Sequence, residues 1–213
     1  MEPTTIGAVD ESLYYIAAFA ALLFFGIVFC LILFAVRYRA SRHPKSAEIH
    51  GNNLLEVVWV VLPTLLALSM FGYGLTGYKF LRHPPAGAFE VAVHSRQFAW
   101  SFEYPDGRVS PDLVVPAGRD VRLTLTSDDV IHGFYLPGYR IQVDAVPGMK
   151  TFAWFKASRQ GVFDILCTVY CGAGHSGMMA KLYVLGEEGY EAWEGGASLP
   201  RQETGQETGA QGG

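Results

Sequence analysis

The chain has 213 residues, half of them apolar, and a formal net charge of -4. It is too apolar for a disordered chain and not basic enough to suggest a nucleic-acid partner. The length suits one or two domains, and the apolar residues are unevenly spread.

Residues Leu13 to Val36 carry no charge, and neither do Val57 to Tyr78. At 1.5 Å per residue each run is long enough to cross the ~30 Å hydrocarbon core, so both are predicted transmembrane helices. Cys30 lies inside the first span and reads as a small packing residue, and Pro63 in the second is expected to bend it. A cleaved signal peptide would begin with a basic segment, whereas this leader holds Glu2, Asp10 and Glu11 and no Lys or Arg. The first span is therefore expected to be a retained anchor. The connecting loop carries Arg37, Arg39, Arg42 and Lys45, against Lys79 and Arg82 after the second span. The positive-inside rule puts that loop in the cytoplasm and both termini outside the cell membrane.

From Phe89 to Leu185 the pattern changes to short alternating runs, among them Phe89–His94, Val121–Thr126, Phe152–Phe155 and Lys181–Leu185. Pro105-Asp-Gly, Pro116-Ala-Gly and Pro147-Gly supply turns between them. Strands of this spacing predict an antiparallel sandwich or barrel. A short acidic helix is expected around Glu187 to Trp193, followed by a disordered Gly, Gln, Glu and Thr tail from Gly195 to Gly213. The expected organisation is thus a tail and helical hairpin over 1–83, a β domain over 84–186, and a helix and tail over 187–213. No Cys-x-x-Cys-His occurs, so no fused haem c domain is expected.

The densest chemistry lies in Cys167-Thr-Val-Tyr-Cys171-Gly-Ala-Gly-His175-Ser-Gly-Met178. Two thiols, an imidazole and a thioether fall within twelve residues, and the glycines let the backbone turn them toward one point. Soft donors of this kind point to copper rather than to magnesium or calcium. A second imidazole is missing, and His132, in Ser127-Asp-Asp-Val-Ile-His132, is the natural candidate. Other readings compete. A Cys167–Cys171 disulfide would need neither His175 nor Met178. A Cys2His2 zinc site would leave Met178 unused, and a mononuclear blue-copper site would leave one thiol unused. Two thiolates shared by two copper ions use every donor.

The spacing Cys-x-x-x-Cys-Gly-x-x-His-x-x-Met, with the upstream Asp-Val-Ile-His and Val143-Asp-Ala-Val-Pro-Gly148, resembles subunit II of cytochrome c oxidase and its binuclear copper A centre. The resemblance implies an all-β, cupredoxin-like Greek-key domain preceded by a two-helix transmembrane hairpin. It also implies a ligand set of His132, Cys167, Val169 through its carbonyl, Cys171, His175 and Met178. The run Leu54-Leu-Glu56-Val-Val-Trp59-Val-Val-Leu-Pro63 is similar to the family's second span, where the corresponding glutamate lies at the mouth of a proton pathway. Glu56 is expected either to inherit that role or to sit functionless among headgroups.

Two departures stand out. Many relatives have glutamate at position 169, whose carboxylate holds magnesium; with Val169 that site is not carried over, although Asp144 lies in a segment the family places nearby. The family usually reads Gln-Trp-aromatic-Trp where this chain has Gln97-Phe98-Ala-Trp100, so Phe98 stands where the tryptophan that receives the donor's electron is expected. Val169 and Tyr170 make the copper site look closer to B-family oxidases.

The resemblance implies a copper A subunit of a membrane haem-copper oxidase. It would take electrons from an external donor, either cytochrome c or a small copper protein, and pass them to haem in a separate subunit I. A nitric oxide reductase subunit of the same superfamily and a membrane-tethered copper carrier are the alternatives. Donor docking is expected through an apolar surface around His175 and the Phe134 to Leu136 strand.

Overall fold

A computed structural model describes residues 5–45 and 51–199. Two long helices come first, α1 (Thr5–Arg37) and α2 (Asn53–Leu81). At 33 residues α1 is about 50 Å long, so it outreaches the hydrocarbon core and carries its first turns above it. The two helices meet through Tyr15, whose ring stacks on Tyr73 and whose hydroxyl lies 3.0 Å from Ser69 Oγ. The Tyr73 hydroxyl donates to Glu11 Oε2 at 3.1 Å. The remaining faces, including Leu22, Phe25, Leu31, Leu62 and Leu68, are exposed, as apolar faces turned to lipid or to other membrane helices would be. The Asn52 side chain caps α2 by accepting from Leu55 N–H. The helix runs through Pro63. The expected tail beyond residue 199 lies outside the described residues.

Ten strands follow: β1 (Phe89–Arg96), β2 (Ala99–Glu103), β3 (Val109–Ser110), β4 (Leu113–Pro116), β5 (Asp120–Ser127), β6 (His132–Leu136), β7 (Ile141–Ala145), β8 (Thr151–Lys156), β9 (Gly161–Cys167) and β10 (Met179–Leu185). They form two five-stranded sheets, ordered β3-β2-β1-β5-β8 and β4-β10-β9-β6-β7. The alternation read from the sequence turns one face of each sheet inward. Val91 and Val93 pair with Leu123 and Leu125, and these meet Phe134, Leu136, Ile165, Leu182 and Val184 from the second sheet in a single core.

The sandwich is not purely antiparallel as expected: β1 pairs with β5 and β4 with β10 in parallel. A parallel neighbour needs a crossover, and β4 supplies one by carrying the chain into the second sheet between β1 and β5. The acidic helix is present as α3 (Glu187–Glu194), and its Tyr190 and Trp193 pack with Val114 and Tyr183 on the outside of the second sheet.

The β domain stands directly on the hairpin. Trp154 Nε1–H donates to the carbonyl of Leu81, the last residue of α2, and its ring meets Phe80 edge-on at 5.0 Å. On the other side Ile6 of α1 packs against the core, and the guanidinium of Arg140, after the Pro137–Tyr139 turn, pairs with Asp10 at 3.0 Å. Arg140 is the single described residue other than glycine with a left-handed backbone, at φ 57°, which costs an L side chain about 1–2 kcal/mol.

Candidate metal centre

The cysteine loop is held by the sheet. β9 ends at Cys167, and β10 begins one residue after Met178. Cys167 N–H donates to the Met178 carbonyl, which closes the loop at its neck. β6 lies beside β9 with Phe134 opposite Cys167, so His132, 35 residues earlier, starts its strand next to the first thiol. Thr168 N–H donates to the Gly133 carbonyl and lays the loop against β6. This closeness needs glycine at 133, because a Cβ there would run into the Thr168 hydroxyl and come within 3.0 Å of Val169 N.

The donors converge as the sequence suggested. Cys167 Sγ and Cys171 Sγ are 3.9 Å apart and both thiols are free, almost twice the length of a disulfide bond. A ring nitrogen of His132 and the sulfurs of Cys167 and Cys171 lie within 4.8 Å of one another. His132 Nδ1 is 4.0 Å from Cys167 Sγ, while His175 Nδ1 is 3.7 Å from Cys171 Sγ and lies outside that three-atom group. Met178 Sδ is 3.8 Å from Cys171 Sγ, and the Val169 carbonyl is 3.3 Å from Cys167 Sγ. His132 and Met178 are fully buried, Cys171 nearly so, and His175 reaches partly to the surface.

Asp129, which the sequence reading passed over, orients His132: its Oδ1 accepts from Nε2–H at 2.8 Å, which leaves Nδ1 as the nitrogen facing sulfur. Its other oxygen accepts from Gln97 N–H at 2.7 Å, and the Gln97 side-chain amide donates to the Cys171 carbonyl. One network therefore ties both ligand segments together. Burial works to raise the Asp129 carboxyl, but hydrogen bonds from His132 and from the Gln97 and Val130 amides outweigh it and hold it at about 2. An acidic residue three before a candidate histidine was the available signal. Burial, and then the neighbouring Cys167, push the Cys171 thiol up, so a metal must displace a firmly held proton there.

The remaining predicted residues lie at different depths. Phe98 is 39% exposed, and its ring covers the glycines of the cysteine loop: a Cβ on Gly172 would lie 3.1 Å from it. Trp100 is buried, 6.1 Å from the His132 ring and 5.4 Å from that of Phe134. Glu56 sits in the first turn of α2, at the opposite end of that helix from the β domain, a position that also suits the helix dipole. The Phe134 to Leu136 strand is not a docking surface, because Phe134 and Leu136 point into the core and are fully buried. The exposed apolar side chains beside the ligands are instead Phe98, Val130, Ile131, Met179 and Tyr170; Tyr170, 77% exposed, meets His175 edge-on at 5.7 Å.

Residues 107–183 match the family model described as cytochrome C oxidase subunit II, periplasmic domain, and residues 5–75 match that of its transmembrane domain. The chain is 30% identical to the alternative cytochrome c oxidase subunit 2 of Bradyrhizobium diazoefficiens over 223 residues, which cover 89% of this chain and 80% of the relative. Cytochrome c oxidase subunit 2 of Alkalihalophilus pseudofirmus is also 30% identical, over 83% of this chain but only 54% of its own length. The protein of Cereibacter sphaeroides is 28% identical over 76% of this chain and 67% of its own. Among solved structures, the periplasmic domain of subunit II of cytochrome oxidase from Bradyrhizobium japonicum matches with a TM-score of 0.51 and 29% identity, over 54% of this chain and 96% of that one.

Proposed function

The chain belongs to the cytochrome c oxidase subunit II family, a membrane component of an oxidoreductase complex with a periplasmic β domain, and from that premise we propose that this domain accepts electrons at a pair of copper ions. The observation that carries the reading is that each thiol of the pair has its own imidazole within 4.0 Å, His132 beside Cys167 and His175 beside Cys171. A metal–sulfur bond is about 2.3 Å, so one ion can touch both sulfurs at their 3.9 Å separation, and each side of the pair has its own imidazole. Met178 and the Val169 carbonyl supply one weak donor apiece.

Bound copper would supply a one-electron redox centre. Cys167 and Cys171, deprotonated, would hold it together with His132 and His175. Asp129 fixes the His132 tautomer, and Gln97 fixes the loop that carries Cys171. Burial of Met178, His132 and Trp100 keeps water away from the sulfurs and limits rearrangement between redox states. Phe98 and Tyr170 form the surface that meets a periplasmic donor, with Trp100 inside it. Subunit I would supply the haem that takes the electron onward, and the exposed apolar faces of the hairpin would pack against it. Glu56 stands at the cytoplasmic mouth of a proton route into that subunit. The cationic loop after α1 faces the cytoplasm and both termini the periplasm.

The test is metal content and paramagnetic resonance on the β domain from Pro84 onward, which holds every proposed ligand. Two copper ions per chain and one unpaired electron shared over two nuclei are expected. One copper with a four-line spectrum would refute the binuclear reading.

A further inference from the structure

A cavity of about 440 Å³ opens where α1 meets the β domain, lined by Ile6, Asp10, Pro137, Gly138, Arg140, Ser158 and Arg159. Its charged walls are two guanidiniums and one carboxylate, an excess of one positive charge. Neither arginine is used up. Arg140 gives Nε–H to Asp10 but its two terminal nitrogens have no partner among the described residues; Arg159 gives one terminal N–H to the Gly138 carbonyl at 3.0 Å and stacks on Phe163. Arg140 also keeps its left-handed backbone in a position where glycine would be unstrained. Such strain at a non-glycine residue points to a task for its side chain.

The height of the cavity identifies what it can meet. Asp10 lies three residues before Leu13, where the charge-free run of α1 begins, and so about 4.5 Å above it along the helix. That is the headgroup level of the outer leaflet. Directly below, one turn along the same face of α1, Leu13 and Tyr14 are exposed and offer an apolar track for acyl chains. We infer that Arg140 and Arg159 hold the phosphate of a phospholipid headgroup at the joint between α1 and the β domain. This reading does not depend on the copper assignment, since none of the proposed ligands lines the cavity.

The experiment uses the full chain assembled with subunit I, in bilayer discs of phosphatidylcholine with a minor share of phosphatidylglycerol, followed by detergent washing and native mass spectrometry of the retained lipid and subunits. Wild-type chain should keep phosphatidylglycerol. Arg140→Gly, which suits the left-handed backbone and so preserves the fold, should weaken retention about tenfold. Asp10→Asn is the discriminating variant. It removes the competing carboxylate, so a phosphate site keeps its lipid at least as well, whereas a cavity that is only an Arg–Asp clasp loses it as Arg140→Gly does. The second outcome overturns the proposal. Inorganic phosphate displacing the lipid at comparable concentration would make this a solute site and overturn the lipid assignment. Loss of subunit I rather than of lipid from the Arg140→Gly complex would show that a protein carboxylate occupies the cavity and would overturn it as well.

Discussion

Gly133 and Val169 face each other across the seam between β6 and the cysteine loop, and they separate what backbone and side chain contribute to the proposed copper site. If residue 169 gives only its carbonyl, Val169→Ala should leave a two-copper spectrum almost unchanged. Gly133→Ala should abolish it, because the new Cβ pushes Thr168 and the Val169 amide off β6 and carries that carbonyl away. Cys171→Ser should also abolish it, since a hydroxyl does not bind as a bridging thiolate does. Asp129→Asn should weaken copper about ten- to hundredfold in competition with a chelator while leaving the fold intact, because His132 loses the carboxylate that fixes its tautomer. Unchanged affinity would show that burial alone orients the ring. The convergence of the soft donors was legible in the sequence because such donors at short spacing have few other uses. Asp129 and Gln97 were not, since a carboxylate and an amide are common on any surface and only the fold brings them to His132 and Cys171.

Between elements, a single tyrosine joins the two sheets. The Tyr104 oxygen, just after β2, accepts the Val114 N–H of β4 at 2.7 Å in a buried setting. Tyr104→Phe leaves that amide without a partner and should cost about 1–3 kcal/mol, read as a lower denaturant midpoint. Burial raises the Tyr104 hydroxyl far above its ordinary value, and burial followed by Glu194 pushes Tyr190 of α3 up to about 12. Both hydroxyls are therefore neutral in the folded chain. Their contribution is full below the unfolded value of 10.0 and is lost as pH rises toward the folded values, so stability should decline above about pH 10 and decline less in Tyr190→Phe. An identical decline in that variant would remove α3 from the account. Strand positions were readable from alternation, and the short acidic helix from its composition. The parallel pairing of β1 with β5 was not, because alternation says which face a residue takes and nothing about which strand lies beside it. The inward turn of Phe134 was missed for a related reason: both faces of a short apolar strand look alike in sequence.

At the scale of the molecule, the β domain carries nine acidic and nine basic residues between Pro84 and Leu185 and has no strong field to steer a charged donor. The exposed Phe98, Val130, Ile131, Tyr170 and Met179 surround the ligand loops and should receive that donor by apolar contact. Electron-transfer rates should then change little between low and physiological salt, while Tyr170→Asp should slow the reaction with the donor without altering the copper spectrum. A steep salt dependence would mean that a local charged patch does the docking.

The joint at Leu81 reaches further than stability. Indole, carbonyl and the Phe80 edge hold the β domain to α2 on one side, while Asp10 and Arg140 hold it to α1 on the other. Held at both points, the β domain should follow the hairpin, so that a tilt adopted to match a thinner or thicker bilayer is expected to be carried outward to the sulfur pair. In the proposed electron-entry role, bilayer thickness would then act as a dial on the tunnelling distance to the next redox centre.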